Sequence, residues 1–137
     1  RVFEYHGAEH KSVACYEAGL PLTVENVRPQ RRLHPRCGTS FLFLVVFISI
    51  IIGSFISWDN PAIRMLLKLL LIPVVVGISY ELIKLAGRSD GIFTRIISAP
   101  GMWLQHITTC EPDDSQIECA IAALTAVIPE DENADRW

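Results

Sequence analysis

The stretch from Gly38 to Trp58 contains 21 consecutive residues without a charged side chain. A helix rises about 1.5 Å per residue, so a helix of this length can cross a hydrocarbon core of about 30 Å. Half of the residues in the chain are apolar and its mean hydropathy is positive, a combination that is unusual for a soluble domain of 137 residues. The stretch therefore predicts a membrane-spanning helix, and the composition indicates a membrane protein.

A second apolar stretch, from Ile63 to Leu85, follows after a turn at residues 58–61. Its uncharged centre is short, but Lys68 and Glu81 lie near its ends, where charged side chains can extend to the membrane surface. Together the two stretches predict an all-α integral membrane protein with a two-helix transmembrane hairpin. Cytoplasmic amphipathic and interfacial helices are expected to accompany the hairpin.

Basic residues beside the two stretches predict the orientation of the hairpin, because Lys and Arg resist translocation. Arg64 and Lys68 lie at the start of the second stretch, next to the turn, whereas the opposite ends hold Arg28, Arg31, Arg32 and Arg36 before the first stretch and Lys84, Arg88 and Arg95 at or beyond the end of the second. Both termini are therefore expected in the cytoplasm. The lipid bilayer is the first expected partner, and we expect no nucleic-acid partner.

The pattern along the chain predicts four consecutive segments. Residues 1–37 hold a helix and a basic juxtamembrane segment, residues 38–88 the hairpin, residues 89–128 interfacial and amphipathic helices, and residues 129–137 an acidic, disordered tail.

Local signals predict several elements within these segments. The first helix, Val2–Glu17, should end at Gly19, and residues 22–27 alternate enough for a short strand. In the third segment we expect a break at Pro100 and a capping box from Ser115 to Glu118.

The first segment and the start of the second also carry residues typical of a metal site. His6 and His10 lie one helical turn apart, the spacing at which two imidazoles can hold one transition-metal ion. His34 and Cys37 supply two further ligand types. Glu17 follows His10 by seven residues, or about 10 Å of helical rise, so we expect it to cap the helix or to support the site rather than to bind the same ion.

Several interpretations of these residues stay open. Three histidines with Cys37 would form a closed, structural zinc site, whereas Cys37 packed as a small apolar residue would leave an open, catalytic position. Glu9 completes the order His-x-x-Glu-His of the inverted zincins, in which the glutamate activates water. Glu81 is either a further ligand or the ion-pair partner of Lys84 or Arg88. Without a metal, the histidines would hydrogen-bond headgroups or partner proteins.

Two other patterns have structural and functional interpretations. The carboxylates of residues 111–114 could bind a hard divalent cation, but they precede a helix and are better placed to cap it. Ser49, Gly53 and Ser57 recur every fourth residue, which allows two membrane helices to approach closely. Because two spans enclose little interior in one copy, we predict a homo-oligomer.

Several stretches spread over nearly the whole chain are specific enough to identify a family. They are Glu4 to Lys11, Leu20 to Asn26, His34 to Phe41, Gly77 to Glu81, Ser98 to Gly101 and Glu111 to Glu118. Together they resemble the YqhQ-like family of uncharacterised bacterial membrane proteins, which have been labelled predicted metal-dependent enzymes. The resemblance implies the bacterial inner membrane as the location. It also implies an upstream segment, and because this chain begins at Arg1 we expect a missing N-terminal portion of the same protein as a further partner.

These observations lead to one main functional hypothesis. His6, His10 and His34 would bind a metal, expected to be zinc from the ligand types, with Glu9 as the base and Cys37 or Glu81 as optional ligands. The expected reaction is hydrolysis of a substrate near the membrane. The alternative is an oligomeric membrane scaffold or pore that uses the same polar residues to bind partners or a structural ion.

Overall fold

The computed structural model describes residues 1–56, 59–88 and 91–129. Within these ranges the secondary structure is entirely helical, as predicted. The helices are α1 (Val2–Glu17), α2 (Val24–Val27), α3 (Gly38–Ser54), α4 (Pro61–Arg88), α5 (Ile92–Thr108) and α6 (Asp114–Thr125).

The chain divides into two compact units. The terminal unit comprises Arg1–His34 and Met102–Trp137, and the central unit comprises Pro35–Gly101. The terminal unit thus joins residues from both ends of the chain, an association that the order of the segments does not indicate. The predicted acidic tail lies outside the described residues from position 130 onward.

The terminal unit is built around α1, which packs against α2 and α6. The helix ends after Glu17, and Gly19 follows with a φ of 67°, a left-handed conformation that glycine adopts readily. The small core contains Ala8, Val27, Ile117 and the Cys15 thiol, whose burial raises its pKa. The predicted helix and its glycine stop are therefore confirmed.

The short strand expected at residues 22–27 is wrong, because this segment forms α2. Thr23 caps the helix, and its side chain accepts a hydrogen bond of 3.4 Å from the backbone N–H of Asn26. Val24 and Val27, three residues apart, both pack into the terminal core. Two side chains three residues apart point to the same face in a helix, which explains why both can reach the core. The described residues contain no strand that could pair with this segment.

Helix α6 has the predicted type of cap but begins two residues earlier than expected. The capping box joins Asp113 and Gln116: the Gln116 N–H donates to Asp113 Oδ1 at 2.9 Å, and the Asp113 N–H donates to Gln116 Oε1 at 2.8 Å. Hydrogen bonds from the Ser115 side chain and the Gln116 backbone lower the pKa of Asp113. This register places Ile117 in the core, where it is 1% exposed.

The central unit contains the apolar helices α3 and α4, which pack against each other. In α4, the 25 residues from Pro61 to Leu85 are long and apolar enough to span a membrane. Helix α3 has 17 residues and ends at Ser54, so its length of about 26 Å is less than that of the predicted first span. It begins at Gly38, the first residue of the predicted stretch, with Cys37 as its N-cap. Among the described helices, α4 is therefore the one that is both long and apolar enough to span a membrane.

The small residues of α3 face α4 within the same chain. Ser49 and Gly53 line a cavity of about 620 Å³ together with Lys68, Leu69 and Ile72 of α4. A Cβ on Gly53 would lie 3.8 Å from the Lys68 side chain, and the close helix approach expected at these positions stays a prediction. The third small residue of the predicted pattern, Ser57, lies outside the described residues.

Helix α5 continues through Pro100, where a break was expected. Proline removes one backbone donor, but a helix can retain its path when neighbouring contacts hold it. One such contact is at Gly101, where a Cβ would overlap Ser40 near the start of α3. The absence of a side chain at Gly101 therefore allows α5 to pass close to α3.

Candidate metal centre

Three histidines lie together in the terminal unit. Helix α1 supplies His6 and His10, and the loop after α2 supplies His34. The ring centroids of His6 and His10 are 4.4 Å apart, and those of His10 and His34 are 5.9 Å apart. His10 and His34 are buried, at 3% and 6% exposure, while His6 is half-buried. The structure therefore places His34, the third predicted histidine, beside His6 and His10 of α1.

Backbone carbonyls orient the two histidines of α1. His6 Nδ1 lies 2.8 Å from the carbonyl oxygen of Thr108, and His10 Nδ1 lies 2.6 Å from that of Arg32. Because a carbonyl can only accept, each Nδ1 is the donor, and in the neutral ring the lone pair is then on Nε2. Ring nitrogens of His6 and His10 come within 4.8 Å of each other.

A carboxylate orients the third histidine. His34 Nε2 lies 3.1 Å from Oε2 of Glu17, and the carboxylate accepts the hydrogen bond. In the neutral ring of His34 the lone pair is then on Nδ1. Glu17 thus makes the kind of supporting contact that its spacing predicted. The sequence did not indicate that its partner would be His34.

A buried glutamine fixes the backbone beside His34. The His34 N–H donates to Gln105 Oε1 at 2.8 Å, and Gln105 Nε2 donates to the His34 carbonyl, also at 2.8 Å. Gln105 is completely buried. Sequence reasoning did not select this residue, although an amide in an otherwise apolar part of α5 was the available signal, since buried polar groups need partners.

Gly7 allows the end of α5 to lie against α1. The Cys110 N–H donates to the carbonyl of Phe3 at 2.8 Å, and a Cβ on Gly7 would overlap the carbonyl oxygen of Cys110. The same close approach brings the carbonyl of Thr108 to His6. The glycine between the two histidines is therefore a structural requirement of the cluster, and the sequence pattern alone did not identify it.

Ion pairs beside the cluster involve the acidic residues that precede α6. Lys11 is buried; its Nζ lies 2.8 Å from Glu111 Oε2 and donates to the carbonyl of Arg28. Arg28 makes two hydrogen bonds, of 2.6 and 3.1 Å, to the carboxylate of Asp114, which raises the pKa of its guanidinium. With Asp113 acting as the N-cap, the carboxylates of residues 111–114 have structural partners. The capping interpretation fits these contacts better than a hard-cation site.

Comparison with known proteins tests the resemblance inferred from the sequence. Residues 1–130 match the family described as "Protein of unknown function (DUF1385)". The chain belongs to the DUF1385 family. It is 43% identical over 129 residues to "Uncharacterized protein YqhQ" of Bacillus subtilis (strain 168), and the alignment covers 93% of this chain and 41% of that protein. This DUF1385 chain thus spans about two-fifths of the length of its relative, and the predicted resemblance is confirmed. No solved structure matches the chain.

Glu9, Cys37 and Glu81 are the other residues predicted for the site. Glu9 is on α1 beside His10 in sequence, but it is exposed. Cys37 belongs to the central unit, where its Sγ accepts a hydrogen bond of 3.4 Å from the Thr39 N–H. Glu81 is an exposed residue of α4, also in the central unit. The roles of Glu9 as a base and of Cys37 and Glu81 as ligands stay predictions.

Proposed function

We propose that this DUF1385 protein holds a transition-metal ion, zinc, with His6, His10 and His34, and that the site hydrolyses a substrate at the cytoplasmic surface of the bacterial inner membrane. The observation that carries the proposal is the orientation of the three rings. One nitrogen of each histidine is hydrogen-bonded to a carbonyl or carboxylate acceptor. Histidines that bind metals almost always donate their other ring N–H to such an acceptor, which fixes the tautomer and raises ligand basicity.

The number of protein ligands decides what such a site could do. Three histidines leave one position of a tetrahedral zinc ion for water or substrate, as in catalytic sites. A bound zinc ion would supply Lewis acidity and lower the pKa of a bound water. Cys37 follows His34 by three residues, so the chain limits the separation of their Cα atoms to about 11 Å. Cys37 as a fourth ligand would close the site and give it a structural role.

Glu9 is the proposed proton acceptor. It follows His6 by three residues on α1, which puts it about 60° around the helix from His6, so it need not bind the same ion. Its exposure leaves the carboxylate accessible to a substrate that approaches from solvent or from the membrane surface.

Replacing Glu9 with glutamine tests this role. Glutamine retains the size and polarity of the side chain but cannot accept the proton, so metal content should be unchanged while activity falls by about 100-fold or more, the range typical of general base catalysis. The readout is complementation of a deletion strain together with the metal content of the purified protein. Glu118→Gln, at an exposed glutamate of α6, is the matched control. Full complementation by Glu9→Gln would exclude Glu9 as the base.

The membrane location is part of the proposal. Its support is the span-length helix Pro61–Leu85 and the excess of basic residues at the ends of the two apolar stretches that lead to the chain termini, compared with the ends at the turn. A two-span hairpin with cytoplasmic termini would place α1 and the histidines on the cytoplasmic side. The shorter α3 would then require local thinning of the bilayer or additional residues beyond Ser54.

Reporter fusions test this topology. With the arginine-rich flanks inside, fusions after Gln30 and after Asp90 should both give cytoplasmic signals and no periplasmic signal, because Lys and Arg on these flanks resist translocation. A fusion after Asn60 should give the opposite result. A periplasmic signal at either of the first two positions would contradict the hairpin.

A further inference from the structure

Helix α5 has an exposed apolar stripe along one side. Ile92, Ile96, Trp103 and Ile107 are exposed by 80%, 65%, 69% and 59%. At 100° per residue, these four positions fall within about 60° of the helix circumference. Such a continuous row of large apolar side chains is costly to leave in water, so a partner is expected to cover it.

The opposite side of α5 is buried and carries contacts to the histidines. Gln105 of α5 and Thr109, the residue that follows the helix, are both 0% exposed. Gln105 holds the backbone of His34 through two hydrogen bonds, and the carbonyl of Thr108 accepts from His6. One helix therefore joins an exposed apolar surface to the supports of the candidate metal centre.

The position of α5 in the chain indicates what covers the stripe. The span-length helix α4 ends at Arg88, and α5 begins at Ile92. Four residue steps extend at most about 14 Å, so the start of α5 cannot move far from the end of α4. If α4 crosses the bilayer, α5 therefore begins at the membrane surface. Trp103 is of the residue type that prefers this interface, and the exposed Arg95 beside the stripe suits anionic headgroups.

We propose that α5 lies in the plane of the membrane interface, with this stripe buried at the boundary between headgroups and acyl chains. The bilayer is the partner of the stripe. This inference rests on the membrane location in the proposed function, and it adds a substrate class. A helix is about 10–12 Å across, so the histidines on its other side are held above the hydrocarbon. The substrate is then an amphiphile whose hydrolysed bond lies in its polar headgroup rather than in its acyl chains.

Tryptophan quenching by lipid tests the proposal directly. The protein with Trp58→Phe and Trp137→Phe retains Trp103 as its single tryptophan. It would be reconstituted into vesicles of phosphatidylethanolamine and phosphatidylglycerol that are brominated near the carbonyl end of the acyl chains. Trp103 should lose most of its emission and be protected from aqueous iodide. A matched control carries Trp103→Phe and Val127→Trp, because Val127 is 73% exposed and lies outside α5. Its emission should respond to iodide and not to brominated lipid.

A second probe position on the stripe controls for a local effect of the substitutions. Ile96→Trp in the Trp103→Phe background places the probe elsewhere on the stripe and should be quenched by lipid in the same way. Quenching of both stripe probes by iodide alone would overturn the proposal. Protection from both quenchers would also overturn it, because the stripe would then be covered by protein, such as a second copy. The quenching measurement does not require a bound metal. If the proposed metal centre does not exist, the purified protein will lack metal, but the quenching of the stripe probes will be unchanged.

Discussion

Replacing His10 with alanine should remove bound zinc from the purified protein. His10 is the central ring of the cluster and is 3% exposed. Loss of a supporting residue typically weakens metal affinity by about 10–100-fold, so loss of a direct ligand should weaken it by more than about 100-fold. The affinity is measured by competition with a chromogenic chelator, and the metal content by elemental analysis.

Two further variants separate ligand loss from general disruption. His10→Gln retains a polar side chain in the buried position and should still lose the metal. His106→Ala removes a histidine that is exposed on α5 and should retain it. If wild-type protein carries no stoichiometric metal, and His6→Ala, His10→Ala and Glu9→Gln all complement a deletion, the metalloenzyme hypothesis is wrong. The oligomeric scaffold would then be the better description.

Replacing Gly7 with alanine should destabilise the terminal unit, although the usual effect in a helix has the opposite sign. Alanine is normally favoured over glycine inside a helix by about 1 kcal/mol. Here the added methyl group would overlap the carbonyl oxygen of Cys110. Overpacking against a fixed backbone costs about 1–3 kcal/mol, and the shift would also strain the hydrogen bond from Cys110 to Phe3. We therefore expect a net loss of unfolding free energy and weaker metal binding through His6.

The control for this prediction is Gly77→Ala. Gly77 is also inside a helix, but a Cβ there has no heavy atom within 4 Å. This variant should be as stable as the wild type or slightly more stable. Both would be compared by denaturant unfolding in the same detergent. Equal stability of Gly7→Ala and Gly77→Ala would show that Cys110 does not lie against Gly7 in solution.

Local features of the fold were predictable because their causes are local. The glycine stop at Gly19 and the one-turn spacing of His6 and His10 depend on neighbouring residues, and both are observed. Errors arose where two local patterns compete. Asp113 with Gln116 and Ser115 with Glu118 both fit a capping box, and burial of Ile117 favours the first. Hydropathy likewise did not show that α3 ends at Ser54.

The supports of the histidines could not be predicted because they are distant in sequence and partly made by the backbone. Every residue has a carbonyl group, so no residue type marks Thr108 or Arg32 as an acceptor. Gln105 reaches His34 across 71 positions. The sequence thus supplied the three candidate ligands, whereas their orientation required the structure.

The division of the terminal unit between the two ends of the chain has a consequence for biogenesis. His6 and its acceptor Thr108 are 102 residues apart, so ribosomes working at about 5–20 residues per second make the histidine roughly 5–20 s before its partner. The intervening chain includes the span-length helix α4. During that interval the nascent chain lacks the carbonyl that orients His6 and the glutamine that holds the backbone of His34. The histidine cluster is consequently completed after translation of α4, and a cell that stalls or cleaves the chain before Gln105 would make the three histidines but not their full set of hydrogen-bond partners.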